Sequence, residues 1–252
     1  MPVMSVPNVF ILPGLLEDAD AFSAVTRGLA DVAACRVADM TRADTIAGLA
    51  RSALAQAPDG PLCLAGHSMG GYVALEVMRQ APERVAKLAL LNTHARPDTA
   101  ESTENRRRLM ALADKDFQAV IATLLPKLMT TAHVSDAALA GIVTTMALAV
   151  GRDAFKRQEN AIIARIDSRA HLARIRCPTL VVAARDDQLM PVEILRELAE
   201  GIPGARLAIV EGSGHMASME QPREVTRLLR EWLTGGREPA PEFPVEAPPP
   251  SS

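Results

Sequence analysis

The stretch Gly66-His67-Ser68-Met69-Gly70 restricts the fold of this chain more than any other. It fits G-x-S-x-G, a pattern in which a serine sits on a sharp turn between a strand and a helix. The turn lifts the hydroxyl clear of the backbone and aims the next residue's N–H at the same point in space. Small residues flank the serine because strand and helix approach too closely for side chains, and glycine tolerates the strained backbone. A bare G-x-S-x-G is weak evidence, so its context decides. Pro61-Leu62-Cys63-Leu64-Ala65 is a short apolar run after the Pro58-Asp59-Gly60 break and reads as a buried strand. Gly71 to Met78 follows with an apolar majority and reads as a helix. Strand, turn and helix therefore come in the required order.

Four further stretches occur in a fixed order around this turn: Leu12-Pro13-Gly14-Leu15-Leu16, Leu90-Leu91-Asn92-Thr93, Cys177 to Val182 with Asp186-Asp187, and Gly212-Ser213-Gly214-His215. Together with the turn they make the chain, from about Val9 to Trp232, similar to the α/β-hydrolase superfamily. Within it, the sequence resembles small bacterial hydrolases that include esterases and enol-lactonases. The resemblance implies an α/β fold with a mostly parallel central sheet flanked by helices, a helical cap insertion and a serine hydrolase mechanism.

The remaining chain agrees with that order. Val9–Leu12, Cys35–Ala38, Val85–Leu91, Leu180–Ala183 and Leu207–Val210 read as strands, and Asp20–Leu29 and Thr45–Ala57 as helices. Strands alternating with helices imply crossover connections and a mostly parallel sheet. Residues 96–174 break the rhythm: apolar stripes at Leu109/Leu112, Val120/Leu124, Leu139/Val143/Met146 and Ile162/Ile166 read as helices, with no strand. We therefore expect a hydrolase core over 1–95 and 175–234, a helical cap over 96–174, and a disordered Pro-rich tail over 235–252.

Composition excludes several classes. A net charge of −3 with interspersed signs leaves no basic footprint for nucleic acid, and Arg106-Arg107-Arg108 lies in a polar stretch that reads as a solvated helix face. No apolar run approaches the roughly 20 residues that span a bilayer, and residues 1–6 lack the pattern of a secretory signal. The 3 cysteines, Cys35, Cys63 and Cys177, are widely spaced, and Cys63 and Cys177 read as buried thiols in or beside strands. A reducing cytoplasm is the expected compartment. No metal-like ligand spacing, P-loop or dinucleotide fingerprint is present, so neither metal nor cofactor is expected. Aromatic residues are only 3% of the chain, so aliphatic side chains should fill the core and line a pocket.

A serine hydroxyl needs a base at neutral pH, usually histidine. Of the 5 histidines, His67 lies inside the turn and is expected to point away from Ser68. His133 and His171 lie in the helical insertion, and His94 could edge into the pocket. His215 follows the strand Leu207–Val210, at the carboxyl edge of a parallel sheet where such folds bind ligands. It also completes the chain order Ser…Asp…His of this fold. The carboxylate that orients it comes from Asp186-Asp187, after the strand Leu180–Ala183. Related hydrolases carry Gly-x-x-Asp with a proline four residues on. Ala184 here takes the Gly position and Pro191 falls four after Asp187, so the resemblance favours Asp187, leaving Asp186 to cap the turn or face solvent.

The oxyanion donors are expected to be the backbone N–H groups of Met69 and Leu15, with both side chains bordering an apolar acyl site. Relatives often carry His-Gly where this chain has Pro13-Gly14, a change that leaves a backbone contact usable. The expected activity is carboxylic ester hydrolysis, on a small to medium acyl group, through Ser68, His215 and Asp187. Lactone hydrolysis is the alternative within the enzyme class. A small-ligand-binding protein with vestigial activity is the alternative outside it.

Overall fold

The computed structural model describes residues 6–235. The expected tail therefore lies, beyond Gly235, outside the described residues. Six strands form one sheet: β1 (Asn8–Leu12), β2 (Ala34–Val37), β3 (Leu62–His67), β4 (Val85–Leu91), β5 (Thr179–Ala184) and β6 (Arg206–Val210). Their order is β2-β1-β3-β4-β5-β6, and every neighbouring pair is parallel. The order reverses at β1, so β1, β3 and β4 stand in the middle with their carboxyl ends side by side. Loops at those ends meet in one crevice, the place where open parallel sheets collect functional residues.

Strands β3 and β5 are buried at every position, which explains why they read as unbroken apolar runs rather than alternating ones. Helices cover both faces. On one, α2 (Ile46–Gln56), α3 (Met69–Gln80) and α10 (Val192–Gly201) bury Leu49, Val73, Val77, Leu195 and Leu198. On the other, α1 (Ser23–Leu29), the short α11 (Ala217–Glu220) and α12 (Pro222–Thr234) bury Val25, Leu29, Ala217, Val225, Leu228 and Leu229. Local signals set the helix ends. Thr45 caps α2 by accepting from the Gly48 N–H at 3.1 Å. Gly235 ends α12 in the left-handed region at φ 72°, and Lys87 Nζ donates to the Trp232 carbonyl at 2.8 Å.

Between β4 and β5 lie α4 (Ala100–Ala113), α5 (Phe117–Leu128), α6 (Thr131–Val134), α7 (Ala137–Val150), α8 (Arg152–Ile163) and α9 (Arg169–Leu172), with no strand among the described residues. Side chains of Thr99, Asp116, Thr130 and Asp136 cap four of these helices. They have a small core of their own, in which Leu109, Val120, Ile121, Ala147 and Phe155 pack against Leu16 of the loop after β1. One expected stripe fails here: α8 stops at Ile163, and Ile166 is 52% exposed. Among the described residues no single helix is long and apolar enough to cross a membrane.

Candidate active site

Ser68 links β3 to α3 with φ 52° and ψ −118°, a strained conformation for a residue with a side chain. Two neighbours hold it there: the Ser68 N–H donates to the Leu91 carbonyl at 3.0 Å, and Thr93 Oγ1 donates to the Ser68 carbonyl at 2.8 Å. The flanking glycines are needed for space. A Cβ on Gly66 would stand 2.4 Å from the Gly70 carbonyl oxygen, and one on Gly70 would stand 1.9 Å from the Leu12 oxygen. Both contacts are with backbone, so neither could be relieved by a rotamer change.

The loops after β5 and β6 bring the other two residues to Ser68. His215 Nε2 lies 2.8 Å from Ser68 Oγ, and His215 Nδ1 lies 2.8 Å from Asp187 Oδ2. Asp187 is 6% exposed, and burial alone would raise its pKa. The adjacent His215, the Asn92 side-chain amide and the Leu189 N–H outweigh burial and hold it below the ordinary carboxylate range. An ionised Asp187 can only accept, so His215 carries its proton on Nδ1 and Nε2 accepts from the Ser68 hydroxyl. Ser68, His215 and Asp187, far apart in sequence, thus form one hydrogen-bonded line able to move a proton off the serine. Asp186, by contrast, is exposed.

Several residues that the sequence reading left unassigned hold this line in place. Asn92, buried at φ 46°, donates from Nδ2 to Asp187 Oδ2 at 2.8 Å. Asp187 Oδ1 accepts from the Leu189 and Met190 N–H groups at 2.8 and 3.0 Å. His67 does point away from Ser68, but it is not idle. Its Nδ1 lies 2.9 Å from Glu17 Oε2, and its Nε2 donates to the His215 carbonyl at 2.9 Å. Burial works against a charged His67, yet the Glu17 carboxylate and the His215 carbonyl outweigh it and raise the imidazole pKa. Glu17 Oε2 also accepts from the Gly14 N–H at 2.7 Å. The buried Glu17–His67 pair therefore ties the loop after β1 to the loop that carries His215. On the far side of that loop, Glu220 accepts from the Gly214 and Thr130 N–H groups, both at 2.8 Å, and contacts His133 Nδ1 at 2.9 Å. Charged residues spaced like ordinary surface positions gave no sequence signal of either network.

The Met69 amide opens α3 directly after Ser68, and the Leu15 amide lies in the turn after β1. Among the described residues neither N–H donates to a protein acceptor. The neighbouring Leu16 N–H is tied instead to Gln158 Oε1 of α8 at 3.0 Å. One side-chain expectation is corrected: Leu15 borders the cavity, but Met69 is 0% exposed and packs into the core beneath it. A helix side chain leans back over its own N-terminal turn, and here that direction leads inward.

Ser68 and His215 open into a cavity of about 260 Å³, with more than half of its lining residues drawn from positions 96–174. Leu109, Ile121, Leu125, Val143 and Met146 give it aliphatic walls. His94 lines it, as its place after β4 allowed. Arg106 also lines it and only Arg107 and Arg108 face solvent, which corrects the reading of all three arginines as one solvated face. Cys63 is buried as expected, whereas Cys177 is only partly so. Among the described residues no group of acidic, histidine or cysteine side chains is arranged to hold a metal ion.

Comparison with known proteins agrees with this architecture. The family model of the alpha/beta hydrolase fold matches residues 35–222. A protein of Pseudomonas savastanoi pv. phaseolicola that bears the name carbamate hydrolase RutD is 34% identical over 173 residues, 67% of this chain and 66% of its own. The matched region is thus just under two thirds of that relative's length. Among solved structures, a thermophilic esterase from Thermogutta terrifontis superposes with a TM-score of 0.83 at 27% identity, over 92% of this chain and 91% of that one. The enol-lactonase from Burkholderia xenovorans LB400 shares the fold at a TM-score of 0.83 and 20% identity, over 93% and 94% of the two chains. The six-stranded parallel sheet, the strained serine turn and the family match together establish that the chain belongs to the α/β-hydrolase fold family.

Proposed function

We propose that this protein is a hydrolase and that it cleaves carboxylic esters of small to medium acyl groups through an acyl-enzyme on Ser68. The observation that carries this reading is the line Ser68 Oγ–His215 Nε2 and His215 Nδ1–Asp187 Oδ2, each step 2.8 Å. Ser68 Oγ bonds to the ester carbonyl carbon as His215 Nε2 takes the hydroxyl proton. The carbonyl oxygen becomes an oxyanion held by the Leu15 and Met69 N–H groups, each worth about 2.7–4 kcal/mol in such sites. Asp187 stabilises the imidazolium without itself taking the proton. Collapse breaks the ester C–O bond, His215 protonates the departing alkoxide, and water then hydrolyses the acyl-enzyme with His215 as base. The helices of residues 96–174 act as a cap, whose aliphatic walls exclude water and size the acyl group.

One observation supports a second substrate class. The relative at 34% identity bears a carbamate hydrolase name, and a carbamate presents the same carbonyl to Ser68 with nitrogen in place of the acyl carbon. The test is hydrolysis of a p-nitrophenyl ester series, from acetate to decanoate, and of a p-nitrophenyl carbamate, by wild type and Ser68→Ala. Ester turnover should fall by at least ~10³-fold in Ser68→Ala, and the chain-length optimum should match a small cavity. Undiminished turnover in the variant would overturn the serine mechanism. Faster turnover of the carbamate than of every ester would favour the second class.

A further inference from the structure

Arg106 stands apart from its neighbours in α4 because it turns inward, toward the cavity that holds Ser68 and His215. Two carboxylates fix its guanidinium from behind. Nη1 donates to Glu159 Oε2 at 2.7 Å, and Nε reaches Asp98 Oδ1 at 3.4 Å. Asp98 is itself held by Arg165 Nη1 and Thr103 Oγ1, both at 2.8 Å. Asp98 and Glu159 side chains are 2% and 0% exposed, whereas Arg106 keeps 21% of its side chain open. Its Nη2 donates to no protein acceptor among the described residues. The result is a rigid, half-buried guanidinium with one unused pair of N–H donors.

A second donor stands in the same cavity. His94 Nδ1 accepts from the Arg96 N–H at 3.0 Å, and burial together with nearby Arg165 and Arg96 pulls the His94 pKa down to about 4. The neutral imidazole then has its proton on Nε2 and donates to Tyr72 Oη, 3.2 Å away. Tyr72 must turn its own O–H elsewhere, and that hydrogen finds no protein acceptor among the described residues. Arg165 stacks over the Tyr72 ring at 4.5 Å, which fixes the phenol as Glu159 fixes Arg106. The charges lean the same way. Burial pushes the Glu159 carboxyl toward its neutral form despite Arg106, and Lys127 adds a third cation to the cavity rim.

We propose that Arg106 Nη2 and Tyr72 Oη form an anion subsite, and that the substrate carries a carboxylate held there while its ester carbonyl meets Ser68. A carboxylate matches a planar guanidinium fork and can accept from a phenol at the same time. An aliphatic ester of equal length would leave those donors unpaired beside the aliphatic walls of the cavity, which selects against it. The cleavage half of this inference rests on the ester hydrolase reading. The binding half does not.

The test pairs two measurements so that the halves separate. First, kcat/KM is measured for monoethyl succinate, glutarate and adipate against ethyl butyrate, valerate and hexanoate, with carboxymethyl butyrate as the arm carrying its carboxylate on the alcohol side. Wild type should prefer one carboxylate ester by ~10- to 100-fold, the selectivity of a hydrogen bond to a charged group, and Arg106→Gln should remove most of that ratio. Arg106→Gln strips the buried Glu159 of its cation, leaves Asp98 with Arg165 as its one remaining cation, and endangers the fold. Arg106→Lys, which keeps the charge but not the fork, and Tyr72→Phe therefore carry the test independently, each lowering the ratio by ~3- to 30-fold, chiefly through KM. Second, calorimetry measures monoethyl adipate and monoethyl succinate binding to Ser68→Ala and to Ser68→Ala with Tyr72→Phe or Arg106→Lys. Weaker binding in the double variants supports the subsite even if no ester is cleaved, a result that would count only against the hydrolase reading. Equal binding in all of them, or a wild-type preference for neutral esters, overturns the proposal.

Discussion

Removing His67 or Glu17 should destabilise the protein by unequal amounts, and the inequality reports how the buried pair is charged. Their side chains are 1% and 4% exposed, with 2.9 Å between Nδ1 and Oε2. His67→Leu leaves the Glu17 carboxylate buried with the Gly14 N–H as its remaining partner. Stranding one member of a buried pair costs about 3–5 kcal/mol. In a domain of this size that lowers Tm by roughly 6–20 °C. Glu17→Leu strands less, because His67 can shed its proton and keep the Nε2–H bond to the His215 carbonyl. That change should cost about 1–3 kcal/mol. The double variant removes both charges together, so its cost should fall short of the sum of the singles by about 1–3 kcal/mol. Urea unfolding read from Trp232, the only tryptophan and a buried one, follows the transition directly. The pH dependence has a definite sign. The folded His67 pKa is raised above its ordinary value, so its contribution is complete below about pH 6.5 and is lost as pH rises through the folded pKa. The gap between wild type and His67→Leu should therefore narrow as pH rises above about 6.5. Additive costs, or a His67→Leu loss below about 1 kcal/mol, would refute the charge-paired reading.

Two further outcomes follow from the site. Asp187→Asn should leave the fold recognisable by circular dichroism but lower kcat by about 10³- to 10⁴-fold, because an amide can donate to His215 Nδ1 and favour the wrong tautomer. Near-normal ester turnover in that variant would remove Asp187 from the mechanism. Gly70→Ala should fail to yield folded protein, since its Cβ would meet the Leu12 carbonyl at 1.9 Å and neither strand nor helix can retreat. A soluble, cooperatively melting Gly70→Ala protein would show that β1 and α3 pack less rigidly than these distances indicate.

Much of the fold is legible along the chain because its signals are local. The apolar runs at Leu62–Ala65 and Leu180–Ala183 are strands buried on both faces, and their ends differ from the sequence reading by only a residue or two. The turn at Ser68 is equally legible, since its glycines answer to backbone crowding within one strand, one turn and one helix. Ile166 misled because an apolar residue four positions after Ile162 looks helical, yet α8 ends at Ile163. Arg106 misled for the opposite reason. Three consecutive arginines look alike in sequence, but a helix turns each about 100° from the last, and only packing decides which one faces inward.

The order of Ser68, Asp187 and His215, each just beyond the end of a parallel strand, was fixed by sequence alone. A parallel sheet collects such ends at one edge whatever the loops contain. Only the tertiary structure decided what surrounds them. Glu17 meets His67 across 50 positions, His67 meets the His215 carbonyl across 148, and Arg106 meets Glu159 across 53. Each contact depends on where two separately folded segments come to rest and which way their side chains then point. No periodicity or spacing encodes that, because the partners share no local geometry until the sheet has brought them together.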